Sequence, residues 1–133
     1  MNYEELSSAV GTETKAEALA KGKELLKAMK FGKWEVRCWA RRISADKDAW
    51  HYELVMVGAP LRLFLGGSQG RSASHCSFYV TTSVPALSFT LGYDKEYRDP
   101  NDAVKAAIQQ YKKDVSNHTK WLEEMQENFA HAN

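Results

Sequence analysis

The stretch KWEVRCWARRI, residues 33–43, combines aromatic and basic side chains at a spacing that suits the binding of a partner. Successive side chains of an extended strand point to opposite faces of a sheet. One face of this strand is apolar and carries Trp34, Val36, Cys38 and Ala40. The other face carries Arg37, Trp39 and Arg41. A buried face rarely holds two arginines and an idle exposed face rarely holds a central tryptophan, so the second face is a candidate binding surface.

The same alternation can be followed through the strands predicted after this one. It extends the aromatic and basic face onto Arg62 and Phe64 in the third strand and onto Tyr79 in the fourth. The glycine-rich segment 66–74 is predicted to be a mobile loop, which places Arg71 beside the face. The predicted binding face consists of Arg37, Trp39, Arg41, Arg62, Phe64, Arg71 and Tyr79.

Two classes of partner suit this face. Protein interfaces are enriched in tryptophan, tyrosine, phenylalanine and arginine, so a protein partner is the preferred hypothesis. Single-stranded nucleic acid is the alternative, because bases stack on aromatic rings for about 1 to 3 kcal/mol each while arginines neutralise the phosphates. If a helix instead covers the face, Trp39 and Phe64 belong to the core. The sequence therefore predicts a binding module that acts through protein–protein contacts.

The histidines and cysteines do not form a catalytic or metal-binding pattern. No histidine lies four residues from another, and neither Cys38 nor Cys76 belongs to a C-x-x-C pair. His75 and Cys76 are neighbours, so on a strand they point to opposite faces and cannot pair with one another. We therefore expect no enzyme activity, no catalytic residue, no metal and no cofactor.

A ligand pocket is the third hypothesis. A cavity between the sheet and the last helix would suit a small molecule or a substrate. Its predicted lining is Trp34, Tyr52 and Tyr111.

The first helix is predicted from its cap and its apolar spacing. Thr14 followed three residues later by Glu17 is typical of a capping box at a helix start. Gly32, after a lysine-rich turn, is the predicted end. Gly22 lowers helix propensity by about 1 kcal/mol relative to alanine but allows another backbone or a large side chain to approach closely. The predicted apolar stripe is Leu19, Gly22, Leu26 and Met29.

An antiparallel sheet is predicted between the two helices. A short polar connection at residues 44–48 indicates a hairpin, which would place Arg42 opposite Trp50. The expected fold is α+β, with a four- to five-stranded antiparallel sheet and the N- and C-terminal helices packed on its apolar face. The predicted strands are 33–43, 49–57, 61–65, 75–82 and 87–93.

The last helix is predicted for residues 99–130, with Asp99 as its cap and Pro100 in its first turn. Apolar residues recur along it at alternating steps of four and three, which is the spacing of a heptad repeat. A helix of this length is longer than the sheet it packs on. The stripe consists of Val104, Ile108, Tyr111, Val115, His118, Leu122, Met125 and Phe129.

The distal half of this helix is predicted to mediate self-association. An exposed stripe of this length would form a larger apolar patch than monomers usually show. Lysines cluster early in the helix and glutamates late, so two antiparallel helices would place opposite charges side by side. The alternative is docking of this helix on the first one at Gly22. The predicted homodimer surface consists of Val115, His118, Trp121, Leu122, Met125 and Phe129.

Length and charge limit the remaining possibilities. The 133 residues with 44% hydrophobic content predict one domain, 1–133, in which residues 1–12 are flexible. A net charge of +1 gives no global attraction to nucleic acid or to an anionic membrane. The sequence also shows no signal-peptide pattern and no apolar run long enough to span a bilayer. We therefore expect a cytoplasmic protein with no membrane partner.

Overall fold

The computed structural model describes residue 6 and residues 11–67, 76–82, 90–91 and 97–131. The strands form one antiparallel sheet in the order β1-β2-β3-β4-β5, in which β5 pairs with β4 through two residue pairs. The predicted α+β fold with an antiparallel sheet of four to five strands is thereby confirmed. The elements are α1 (Lys15–Leu26), β1 (Trp34–Ser44), β2 (Lys47–Met56), β3 (Leu61–Gly67), β4 (Cys76–Thr82), β5 (Thr90–Leu91) and α2 (Pro100–Ala130).

Helix α1 begins at the predicted cap but ends at Leu26 rather than near Gly32. The Thr14 hydroxyl accepts a hydrogen bond from the Glu17 backbone N–H at 3.2 Å, as a capping box requires. The early end has a physical reason in the turn that follows. The Asn101 side chain accepts a hydrogen bond from the backbone N–H of Lys30 and donates one to the carbonyl of Ala28, each at 2.9 Å, so this turn is bound to the start of α2.

The buried stripe of α1 differs from the predicted one. Ala18, Gly22 and Leu25 are buried, whereas Leu26 is only partly buried. A Cβ built on Gly22 would lie 2.3 Å from Cγ1 of Val36 in β1. The close approach predicted for Gly22 is therefore made to the sheet, and its nearest neighbours belong to β1 and β2 rather than to α2.

Strands β1 and β2 pair two residues away from the predicted register. Ala40 lies opposite Trp50, where Arg42 was predicted. The connection is shorter than expected, because residues 45–46 alone lie between the paired ends and the register shifts at Ile43. Side-chain direction repeats every two residues, so this shift leaves each side chain on its predicted face.

The core lies between one face of the sheet and the two helices. Helix α1 packs on β1 and β2, while α2 packs on β3, β4 and β5. On the sheet, the residues with at most 1% of their surface exposed include Tyr52, Leu54, Leu61, Leu63, Leu65, Phe78 and Val80.

The buried residues that helix α2 contributes to this core all lie in its first two turns, and Ile108 in the next turn packs against the core while partly exposed. Its N-terminus is capped by Asp99, whose carboxylate accepts from the Asn101 backbone N–H at 2.8 Å. From residue 108 to residue 131, all of which the structure describes, no residue is buried. At about 1.5 Å per residue the helix is roughly 46 Å long, so most of its length extends beyond the core. Its buried residues are Pro100, Asn101, Ala103, Val104 and Ala107.

Neither helix in the described part of the chain combines the length and the apolar character that crossing a membrane requires.

Candidate functional site

The sheet face opposite the helices, called the open face below, brings the predicted aromatic residues together. Trp39 stands on this face with 40% of its surface exposed. Its indole stacks on the His51 ring at a centroid distance of 5.7 Å and meets the Phe64 ring edge-on at 6.1 Å. These contacts link β1, β2 and β3. Trp39 is therefore a partly exposed ring whose orientation is fixed by its neighbours.

The strand pairing places the other predicted face residues on the same side. Tyr79 lies opposite Phe64, and Arg62 lies two residues before Phe64 on β3. Arg37 and Arg41 lie two residues before and after Trp39 and are exposed. Arg71, which was predicted to assist from the glycine-rich loop, lies outside the described residues, as do residues 68–74 of that loop.

A buried carboxylate separates two of the arginines. Glu53, with 7% of its surface exposed, lies opposite Arg37 in the sheet. Burial raises the pKa of Glu53, and the positive charges of Arg62 and Arg37 oppose that rise. When Glu53 is ionised it offsets part of the positive charge on the open face. The face therefore attracts a polyanion less than its arginines alone would.

The two neighbouring arginines at the hairpin end have different surroundings. The Arg42 guanidinium lies 2.8 Å from the Asp48 carboxylate and donates a hydrogen bond to the Ala45 carbonyl, also at 2.8 Å. Arg42 thus braces the β1–β2 turn. Arg41 points to the open face beside Trp39 and is exposed. Of this pair, Arg41 is the one placed to contact a partner.

A cavity of about 350 Å³ lies at one end of the open face, beside the β2–β3 turn. Arg37 and Arg62 lie on its sides, together with Glu35 and the turn residues 57–60. The pocket predicted from the sequence would lie on the other face of the sheet. There, Trp34 and Tyr52 are packed in the core, and the Tyr52 hydroxyl donates a hydrogen bond to the carbonyl of Leu6.

The distal half of α2 presents the predicted apolar stripe to solvent. The exposed fractions are 36% for Val115, 45% for Leu122 and 70% for Phe129. Trp121 is 52% exposed, and its ring stacks on His118 at a centroid distance of 5.7 Å with planes 22° apart. Met125 on the same stripe is partly exposed. These side chains form a second candidate surface, separate from the open face.

The described residues hold no group of three or more His, Cys, Asp or Glu side chains able to bind a metal ion. The half-buried Cys38 thiol is free, and burial raises its pKa while the nearby Lys15 charge opposes the rise. His75, which the sequence placed beside Cys76, lies outside the described residues.

Sequence reasoning missed the role of Asn101. Its amide joins the turn after α1 to the first turn of α2 across 71 and 73 residues of chain. The only local signal was a polar residue directly after Pro100 in a helix start, which is common at an exposed helix N-terminus. Nothing in the sequence indicates that this asparagine is buried or which backbone groups it binds.

Comparisons of the chain with protein-family models, with curated proteins and with solved structures found no match.

Proposed function

We propose that this chain is a non-catalytic binding module that contacts a partner protein through its open face. The observation that carries the proposal is Trp39, a 40% exposed ring fixed between His51 and Phe64. A side chain that is already ordered loses little conformational entropy on binding. Tryptophan and arginine are also among the residues enriched at the energetic centres of protein interfaces.

The neighbours of Trp39 define the chemistry of the partner. Arg41 and Arg37 flank the ring along β1 and suit carboxylates, while the indole suits an apolar or aromatic side chain. Glu53 lies between Arg37 and Arg62 and moderates the local positive charge. This balance favours a mixed polar and apolar protein surface over a polyphosphate backbone.

Selection of binding peptides tests the proposal. A displayed peptide library is selected on the wild-type chain, and the recovered peptides are measured against Trp39→Ala and Arg41→Ala. We expect the tightest peptides to lose at least tenfold in affinity with Trp39→Ala and less with Arg41→Ala. Trp121→Ala is the matched control, because it removes another exposed tryptophan that is not on the open face. Peptides that bind Trp39→Ala as well as wild type would contradict the proposal.

Single-stranded nucleic acid is the second candidate, because the same ring and arginines suit stacked bases and phosphates. Labelled single-stranded DNA and RNA are titrated at low and at moderate salt. Several phosphate contacts would make the affinity fall steeply with salt, whereas an aromatic protein contact would change little. An absence of binding at low salt would remove the nucleic-acid alternative.

A further inference from the structure

The exposed stripe of α2 has a spacing that reads the same in both directions. From Tyr111 to Phe129 its apolar positions are separated by steps of four, three, four, three and four residues. The centre of this pattern is Lys120, which lies midway between His118 and Leu122. A helix stripe with this symmetry is complementary to an inverted copy of itself.

We propose that two copies of the chain pair through this stripe as antiparallel helices. The twofold axis crosses the seam at the level of Lys120 along the helix. The surface is separate from the open face, so the proposal does not depend on the proposed function. His118 then packs against the partner's Leu122, Val115 against the partner's Met125, and Tyr111 against the partner's Phe129. Each layer joins two stripe positions that the chain itself leaves unburied.

The two neighbouring registers of the helix pair are excluded, one because it needs residues that are already packed in the core and the other because it extends past the end of α2. Moving the axis toward the N-terminus, between Val115 and His118, would bring Val104 and Ile108 into the seam. Val104 is fully buried in the chain's own core and Ile108 packs against that core. Moving the axis the other way, between Leu122 and Met125, would pair Val115 with a position beyond the end of α2 at Ala130. The axis at Lys120 alone uses all six unburied stripe positions from Tyr111 to Phe129.

The charges of the helix favour the antiparallel orientation. Lys112 and Lys113 lie in the first half of the exposed segment, and Glu123, Glu124 and Glu127 lie in the second. In a parallel pair each cluster would lie beside its own copy and repel it. In the antiparallel pair the lysine segment of each helix runs alongside the glutamate segment of the other. Lys113 and Glu127 lie seven residues before and after Lys120 and point away from the seam as it does, so this preference acts between segments and not through a direct ion pair.

The residues next to the axis border the seam and meet their own copies. Thr119 lies on one side of the stripe and Trp121 on the other, so each faces the same residue of the second chain. The stacking of Trp121 on His118 directs the indole along the stripe. Lys120 lies between them in sequence but points away from the seam. It is five residues after Val115 and two before Leu122, and at about 3.6 residues per turn both spacings place it on the side of the helix opposite the stripe.

Cysteine cross-linking tests the register. Under mild oxidation, Thr119→Cys should form a covalent dimer, and Lys120→Cys, one residue away on the outer surface, should not. A mixture of Val115→Cys and Met125→Cys chains should cross-link more than tenfold above either variant alone. The wild-type chain, treated in the same way, sets the background from its native cysteines. Cross-linking of Val115→Cys or Met125→Cys alone at the level of the mixture would overturn the antiparallel register.

Sedimentation tests the association itself. The wild type should sediment as a dimer at micromolar concentration, and Leu122→Asp with Phe129→Asp should halve the sedimenting mass without a change in the circular dichroism spectrum. Ser116→Asp with Asn117→Asp is the matched control, because it adds two carboxylates at exposed positions outside the stripe and should leave the dimer intact. A wild-type monomer at this concentration would overturn the proposal. Unchanged peptide binding by that monomer would leave the proposed function standing.

Discussion

The two faces of the sheet are built from the same strands and have opposite properties. On the covered face Leu54, Leu63 and Val80 are completely buried beneath the helices. On the open face Phe64, the next residue after Leu63, is partly exposed and its ring lies nearly perpendicular to that of Trp39. Aromatic residues of the sheet accordingly have two kinds of environment, one on each face. Those of the covered face are part of the hydrophobic core, whereas Trp39 is oriented by ring contacts and remains accessible.

The largest loss of stability should follow from truncation of a core leucine on the covered face. Leu63→Ala removes a fully buried side chain between Leu54 and Val80, its neighbours in the strand pairing. We expect the free energy of unfolding to fall by about 2 to 5 kcal/mol. Urea denaturation measures it. Ile43→Ala, at an aliphatic position that is 59% exposed, is the control and should change the value by about 0.5 kcal/mol or less.

A smaller effect is expected where α1 meets the covered face. Gly22→Ala would place a methyl group 2.3 Å from Val36 Cγ1, and such overpacking typically costs about 1 to 3 kcal/mol. The gain in helix propensity, about 1 kcal/mol, offsets part of that cost. In a double-mutant cycle, Val36→Ala should relieve the clash, so the double variant should be more stable than the sum of the single effects. Additive effects would show that the helix shifts to accommodate the methyl group.

The open face should tolerate the loss of its central ring. Trp39→Ala removes the stacking on His51 and the edge contact with Phe64, and aromatic pairs of this kind contribute about 1 kcal/mol. The same urea experiment should therefore give a clearly smaller change than Leu63→Ala. A loss as large as that of Leu63→Ala would place Trp39 in the core and remove the basis for a binding face.

The smallest effect should be a pH dependence of the free energy of unfolding that is caused by Glu53. Burial raises the pKa of Glu53 in the folded chain above its ordinary value of 4.5. The unfolded chain therefore loses this proton first as pH rises, and the wild type should lose stability relative to Glu53→Gln between pH 4.5 and the raised pKa. Above that pKa the difference should stay constant. Arg62→Gln should make the loss steeper, because the Arg62 charge opposes the shift. An increase in relative stability with pH would contradict this assignment.

For strands β1 and β2 the sequence predicted the two faces correctly, although it placed their register two residues away. Side chains alternate between the two faces of a strand, so a register that is shifted by two residues leaves Arg37, Trp39 and Arg41 on the same face. The helix caps at Thr14 and Asp99 were also predictable, because capping is a local interaction between residues close in sequence.

Long-range packing accounts for what the sequence did not predict. The early end of α1 depends on Asn101, more than 70 residues away, and no local pattern reports that contact. The pKa of Glu53 likewise depends on its burial in the assembled sheet and on the opposing charges of Arg62 and Arg37, which come from two other strands. Only the assembled sheet shows that Glu53 is shielded from water.

The position of Asn101 also bears on the order in which the molecule folds. Helix α1 packs on β1 and β2, its near neighbours in sequence, so residues 11–56 can make most of their contacts without the rest of the chain. The Asn101 hydrogen bonds close a loop of about 70 residues, and the entropy lost in closing a loop grows with its length. Contacts between distant residues also slow folding. We therefore expect docking of the first two turns of α2 to be a late step, reached after the first half of the chain has formed its own packing and, during synthesis, only once the C-terminal segment has left the ribosome.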